Sequence, residues 1–248
     1  MEARPHGTIP EHSHDAKMEY LWRELIAHFP FTIFFTTFGV ILAALLTYFG
    51  VVMGAAQENV ERGSRMLFHA FHPIHLLFSA ITTTAMFRRY DRHIGRAILI
   101  GFFGSIGVCG LSDIFMPYLA GQWLTAKHMH FHWCVLAHPM MVFPFVALGI
   151  FGGLIAADAV HHSTFYSHSV HVAVSSLASL FYLISYGVSN WLGDAVLPYV
   201  FVILVLCIII PCCLSDIVLP LLLVSPVGHA EEEADEAEGD AEEEGKDT

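Results

Sequence analysis

Residues Phe29–Val52 read FPFTIFFTTFGVILAALLTYFGVV, an unbroken apolar run without a single charged side chain. About twenty mostly apolar residues are enough for a helix to cross the hydrocarbon core of a bilayer. This stretch therefore predicts a membrane-spanning helix. Five more follow on the same criterion: Met66–Phe87, Ala97–Leu119, Cys134–Ala157, Phe165–Trp191 and Leu197–Val224. The expected fold class is an all-α integral membrane protein of six transmembrane helices, with the lipid bilayer as its first partner.

Composition agrees. Apolar residues make up 55% of the 248-residue chain and charged residues only 14%, against roughly a quarter charged in a soluble domain. The net charge of −12 is concentrated in one place, since Glu231–Asp247 holds eleven acidic residues and one lysine. That tail has too little apolar surface to repay its ordering entropy and is expected to be disordered. Its acidity says nothing about the core, and no basic surface suggests nucleic acid. The first twenty residues are polar, with no signal-peptide pattern. Glu19–His28 reads as a short interfacial helix. The five cysteines lie in apolar runs without a C-x-x-C pair, so buried thiols are expected rather than disulfides.

Lysine and arginine placement sets the orientation. With Arg88, Arg89, Arg92 and Arg96 cytoplasmic, Arg4, Lys17, Arg23 and Lys246 fall on the same side, which gives eight positive residues inside. Arg62, Arg65 and Lys127 are the three outside. Both termini are expected in the cytoplasm.

Three motifs recur in order. Ala27-His28-Phe29-Pro30 is matched by Ala137-His138-Pro139, and His72-x-x-His75-x-x-x-Ser79 by His168-x-x-His171-x-x-x-Ser175. The most specific pair is Cys109-Gly-Leu-Ser112-Asp113-Ile-x-x-Pro117 with Cys212-Cys-Leu-Ser215-Asp216-Ile-x-x-Pro220. Their offsets are 110, 96 and 103 residues. Each unit holds three spans, so the second must be inverted, the 3+3 plan of many transporters. The expected organisation is an N-terminal segment 1–27, repeat one over 28–121, repeat two over 122–226 and the acidic tail 227–248.

Depth follows from span and orientation. His72, His75, Asp113 and His138 are expected in a cluster near the outer face; His28, His168, His171 and Asp216 form its counterpart near the cytoplasmic face. Ser79, Ser112 and Cys109 accompany the first, and Ser175, Ser215 and Cys212 the second. Spacings of i, i+3 and i+7 put His72, His75 and Ser79 on one helix face, and Cys109 with Asp113 at i, i+4 likewise. Pro117 and Pro220 lack the N–H that would pair the carbonyls of Asp113 and Asp216. Polar groups unpaired in lipid are costly, so something polar is expected beside each aspartate. Ionisable residues inside spans are ordinarily functional.

Histidine pairs with a nearby carboxylate suit a divalent transition metal: Zn, Fe, Mn, Cu or Ni. His128, His130 and His132 on one side, and His161 and His162 on the other, are placed to capture ions at either mouth. The function expected is a transporter or channel for a divalent transition-metal cation, the metal being its substrate, rather than an enzyme. Two alternatives use the same residues. One is a dihaem electron carrier, with His72 or His75 paired to His138 and His28 paired to His168 or His171; the surplus of polar groups counts against it. The other is a membrane-embedded metal-dependent oxidoreductase, which ordinarily needs one dense cluster on one face. The chain has no nucleotide loop, no G-x-S-x-G and no H-E-x-x-H. A second copy or a partner subunit is compatible with all three.

Overall fold

A computed structural model describes residues 14–213, apart from 55, 91–92, 126–128, 157–159, 189–190 and 194. The acidic tail, Ser215, Asp216, Pro220 and His128 lie outside the described residues. The regular structure among the described residues is all helical: α1 (His14–Val52), α2 (Gln57–Tyr90), α3 (Ile94–Gly110), α4 (Met116–Thr125), α5 (Cys134–Ala137), α6 (Pro139–Ala156), α7 (Val160–Tyr186) and α8 (Leu197–Ile208). A π-helical turn, Leu111–Phe115, joins α3 to α4, and a second, Ile209–Cys213, continues α8.

Among the described residues, three helical stretches are long and apolar enough to cross a membrane: Phe29–Val52, Ile94–Leu124 and Pro139–Ala156. Val170–Tyr186 and Leu197–Pro211 are apolar but shorter. Helix α2 contains the expected span Met66–Phe87 but carries charge at its ends, with Glu58, Glu61, Arg62 and Arg65 at one and Arg88 and Arg89 at the other.

Many large apolar side chains are exposed among the described residues, while a set of polar groups is buried within a mostly apolar core. Phe34, Phe38, Ile41 and Leu45 on α1 and Leu148, Phe151 and Ile155 on α6 are all exposed. Water-soluble proteins rarely show continuous apolar surface of this extent. Fully buried groups include His72, His75, Ser79, Asp113, His171, Ser175 and Ser179. These observations make it a membrane protein.

Helix α2 is central and packs against α3, α6 and α7, while α1 packs on α7. Glycine lets α6 approach closely. A Cβ on Gly149 would sit 2.6 Å from the Leu77 carbonyl oxygen, and one on Gly153 would sit 2.7 Å from that of Ile81. The two are spaced i, i+4, the small-residue pattern that brings helix backbones together. In the glycine series of α3, Gly101 faces Thr84 of α2, whereas Gly107 has nothing within 4 Å. Of the threonine run in α2, Thr82 donates to the Phe78 carbonyl of its own helix at 3.0 Å.

The π-turn corrects one expectation. Met116 N–H donates to the Leu111 carbonyl, five residues back. In that register the carbonyl due to Pro117 belongs to Ser112, not Asp113. Ser179 of α7 supplies the missing donor, its hydroxyl reaching the Ser112 carbonyl at 3.1 Å. The proline gap is closed by a neighbouring helix.

Candidate functional site

Asp113 is wholly buried and occupies the turn between α3 and α4. Four groups converge on its carboxylate. His72 and His75, one turn apart on α2, donate from Nδ1 to Oδ2 at 2.8 and 2.7 Å. Ser112 and Ser175 donate to Oδ1 at 3.0 and 3.1 Å. The carboxylate thus has charge-assisted partners from α2, from α7 and from its own turn, which satisfies its buried charge.

These bonds also fix the imidazoles. A carboxylate oxygen can only accept, so each Nδ1 carries the proton, and in the neutral ring each Nε2 presents a lone pair. A carboxylate holding Nδ1–H is the arrangement that orients histidines for a metal at Nε2. Nε2 of His75 lies 2.8 Å from Nε2 of His171 on α7, with the rings crossed at 82° and 4.5 Å between centroids. Nε2 of His72 and the Ser79 hydroxyl are buried with no hydrogen-bond partner among the described residues. The His72 ring stacks on Phe68 at 5.2 Å.

The assignment of His171 to a separate cluster at the other face is therefore corrected: it meets His75 directly. His138 is corrected too, because it belongs to a second group of rings. His138 lies at the break between α5 and α6, where Pro139 pushes the preceding residue out of helical geometry (φ −136°, ψ 58°). Its ring sits 4.8 Å from that of His69 and 5.4 Å from that of His132. His69 Nε2 is 3.2 Å from His132 Nε2.

His132 is held by a loop folded over this end of the bundle. Met129 is buried and its side chain fills the space beside Gly121 and Gly187. His130 N–H donates to the Tyr186 carbonyl at 3.2 Å, His132 N–H to the Tyr182 hydroxyl at 3.1 Å, and the His132 ring stacks on Tyr186. Burial, and then the neighbouring His69 and His138, depress the His132 pKa to about 4. The side chain of His130 is exposed.

His69, His132 and Cys134 each offer a ligand atom, and these lie within 4.8 Å of one another, so the group could hold a metal ion. Neither His69 nor Cys134 is among the metal-ligand candidates expected from the sequence, where Cys134 counts only as a buried thiol. The signal for His69 was present in the spacing His69-x-x-His72-x-x-His75. Cys109 is buried but is not among the groups bonded to Asp113 in the contacts above. His28 lies in α1, His161, His162 and His168 in α7 and Cys212 in the second π-turn, but their side chains lie outside the described ones. Of the residues in the haem pairings, His75 lies against His171, and His138 sits beside His69 and His132.

Comparison with protein-family models, with curated proteins and with solved structures finds no match.

Proposed function

We propose that this chain is a multi-pass membrane transporter for a divalent transition-metal cation, with six spans arranged as two inverted sets of three. One observation supports it above the others. His75 and His171 occupy the same place in the repeated H-x-x-H-x-x-x-S motif, and they meet nitrogen to nitrogen at 2.8 Å in the buried interior. In an inverted repeat, two counterparts that touch lie on the axis relating the halves, and substrate sites of such transporters lie at that interface near the midplane.

The chemistry suits an ion in transit. Two Nε2 atoms face each other, one held in its tautomer by Asp113. A cation entering between them needs both Nε2 lone pairs, so the proton that His171 holds on Nε2 shifts to its own Nδ1 and both rings bind as neutral imidazoles. Asp113 supplies neutralising charge at one remove, because its own oxygens are already engaged by four donors. In this reading Asp216 plays the same part for the second half, both termini are cytoplasmic, and the His69–His132–His138 group lies on the outer side.

The test is metal flux. The full chain is reconstituted into vesicles loaded with a zinc- or manganese-sensitive fluorophore, and external metal is added. Flux is expected in the wild type and lost when Asp113→Asn and Asp216→Asn are combined. Unchanged flux in the double variant overturns the reading.

A further inference from the structure

We propose that His69, His132 and Cys134 form a metal site of their own, selective for Zn(II) or Cu(I) over Mg(II), Ca(II) and Mn(II). The proposal concerns binding and stands whether or not the chain transports anything.

Three observations carry it. The ligand atoms of the three side chains lie within 4.8 Å of one another. The two imidazole nitrogens are 3.2 Å apart, close to the roughly 3.3 Å that two histidines span on a tetrahedral zinc with metal–nitrogen bonds of about 2.0–2.1 Å. Third, His69 is already oriented. Its Nδ1 lies 2.8 Å from the Arg65 carbonyl, and since a carbonyl can only accept, Nδ1 is the donor and Nε2 keeps its lone pair. A backbone carbonyl on the far nitrogen is a common way for metal-binding histidines to be fixed. His132 is fixed from the other side, by its backbone bond to Tyr182 and its stacking on Tyr186.

Donor chemistry sets the ion class. Cys134 is buried and binds as thiolate, its proton passing to solvent as the metal enters. Two imidazoles and a thiolate are soft-to-borderline donors that favour Zn(II) and Cu(I); the hard ions Mg(II), Ca(II) and Mn(II) prefer oxygen. The set leaves a charge of +1 with Zn(II) and none with Cu(I). His138, exposed and 4.8 Å ring to ring from His69, is placed to complete a fourth position.

Cobalt(II) is the probe, because a cobalt–thiolate bond gives a near-ultraviolet charge-transfer band that imidazole and carboxylate ligation do not. The purified full chain in detergent is titrated with Co(II) and then with Zn(II). One equivalent of Co(II) is expected to produce the band and one of Zn(II) to remove it, whereas excess Mg(II) or Mn(II) leaves it unchanged. Cys134→Ser is expected to abolish the band, and Cys109→Ser to retain it. His132→Gln, a loop substitution that leaves every helix intact, is expected to weaken Co(II) binding at least tenfold, and it decides the matter if Cys134→Ser fails to fold. The absence of the band at saturating Co(II), a band that survives Cys134→Ser, or a His132→Gln protein whose band forms at the same Co(II) concentration as in wild type overturns the site. A protein that passes this test and carries no metal into vesicles keeps the site and loses the transport reading.

Discussion

Nε2 of His75 lies 2.8 Å from Nε2 of His171, although the two residues are 96 positions apart and occupy different helices. The contact joins the two halves of the chain through two fully buried histidines. With Nδ1 of His75 donating to Asp113, the Nε2 proton in this pair comes from His171 when both rings are neutral. The order of donors is thus set from one end, by a carboxylate.

The pair should behave as a unit. His75→Gln and His171→Gln each strand a buried partner, which costs about 1–3 kcal/mol. The double variant should lose less than the sum, with a coupling of about 1–3 kcal/mol. Denaturant unfolding of the four proteins in detergent measures it, and additive losses would contradict a direct bond.

Removing the charge of Asp113 should be the most damaging single change in this centre. Asn in its place brings N–H groups against the N–H groups of His72 and His75. Each lost hydrogen bond to the charged carboxylate costs about 1.5–3 kcal/mol, and two are lost at once. Ser175→Ala removes one of the four donors to the same carboxylate and should cost about 1.5–3 kcal/mol. Thermal midpoints should fall in the order wild type, Ser175→Ala, Asp113→Asn; the reverse order for the two variants counts against the geometry.

Ser179 and Pro117 make a paired prediction. Ser179→Ala leaves the Ser112 carbonyl without its donor and should cost about 1–3 kcal/mol. Ser176→Ala removes a hydroxyl that bonds mainly within its own helix, to the Val172 carbonyl at 2.8 Å, and should cost less. In a Pro117→Ala background position 117 regains an N–H, so the Ser179→Ala penalty should shrink. A penalty unchanged by the proline replacement refutes the register described here.

The glycines of α6 can be separated from that of α3 by alanine substitution. Gly149→Ala and Gly153→Ala push a methyl group into the backbone of α2 and should destabilise by about 1–3 kcal/mol, the usual cost of overpacking. Gly107→Ala meets nothing within 4 Å and should gain up to about 1 kcal/mol from helix propensity. Equal effects at the three positions would argue against the close approach of α6.

Hydropathy identified Phe29–Val52 from the sequence, because a span against lipid must be apolar along its whole length. The stripe of His72, His75 and Ser79 was legible from helical spacing, and all three are buried. Depth was not legible. His171 was expected near a face by counting from Phe165, but α7 begins at Val160, which puts the residue about 16 Å along the axis at 1.5 Å per residue. His75, likewise, lies about 27 Å into α2 when counted from Gln57. Polar first turns conceal helix starts from an apolarity criterion, so both histidines lie further along their helices than their apolar flanks suggest. The grouping of His69 with His132 and Cys134 depends on how the 129–133 loop folds back, and loop direction leaves no periodic signal.

The turn at Leu111–Phe115 has a consequence for its helix as a whole. Closing five residues back instead of four adds one residue to that turn, and one residue is about 100° of helical phase at 3.6 per turn. The stretches on either side are therefore out of step, like two lengths of threaded rod joined with an angular offset. The first packs against α2 and α6; the second packs against α7 and α8. A single continuous rod thus serves two sets of neighbours, with Asp113 at the joint where one set is exchanged for the other.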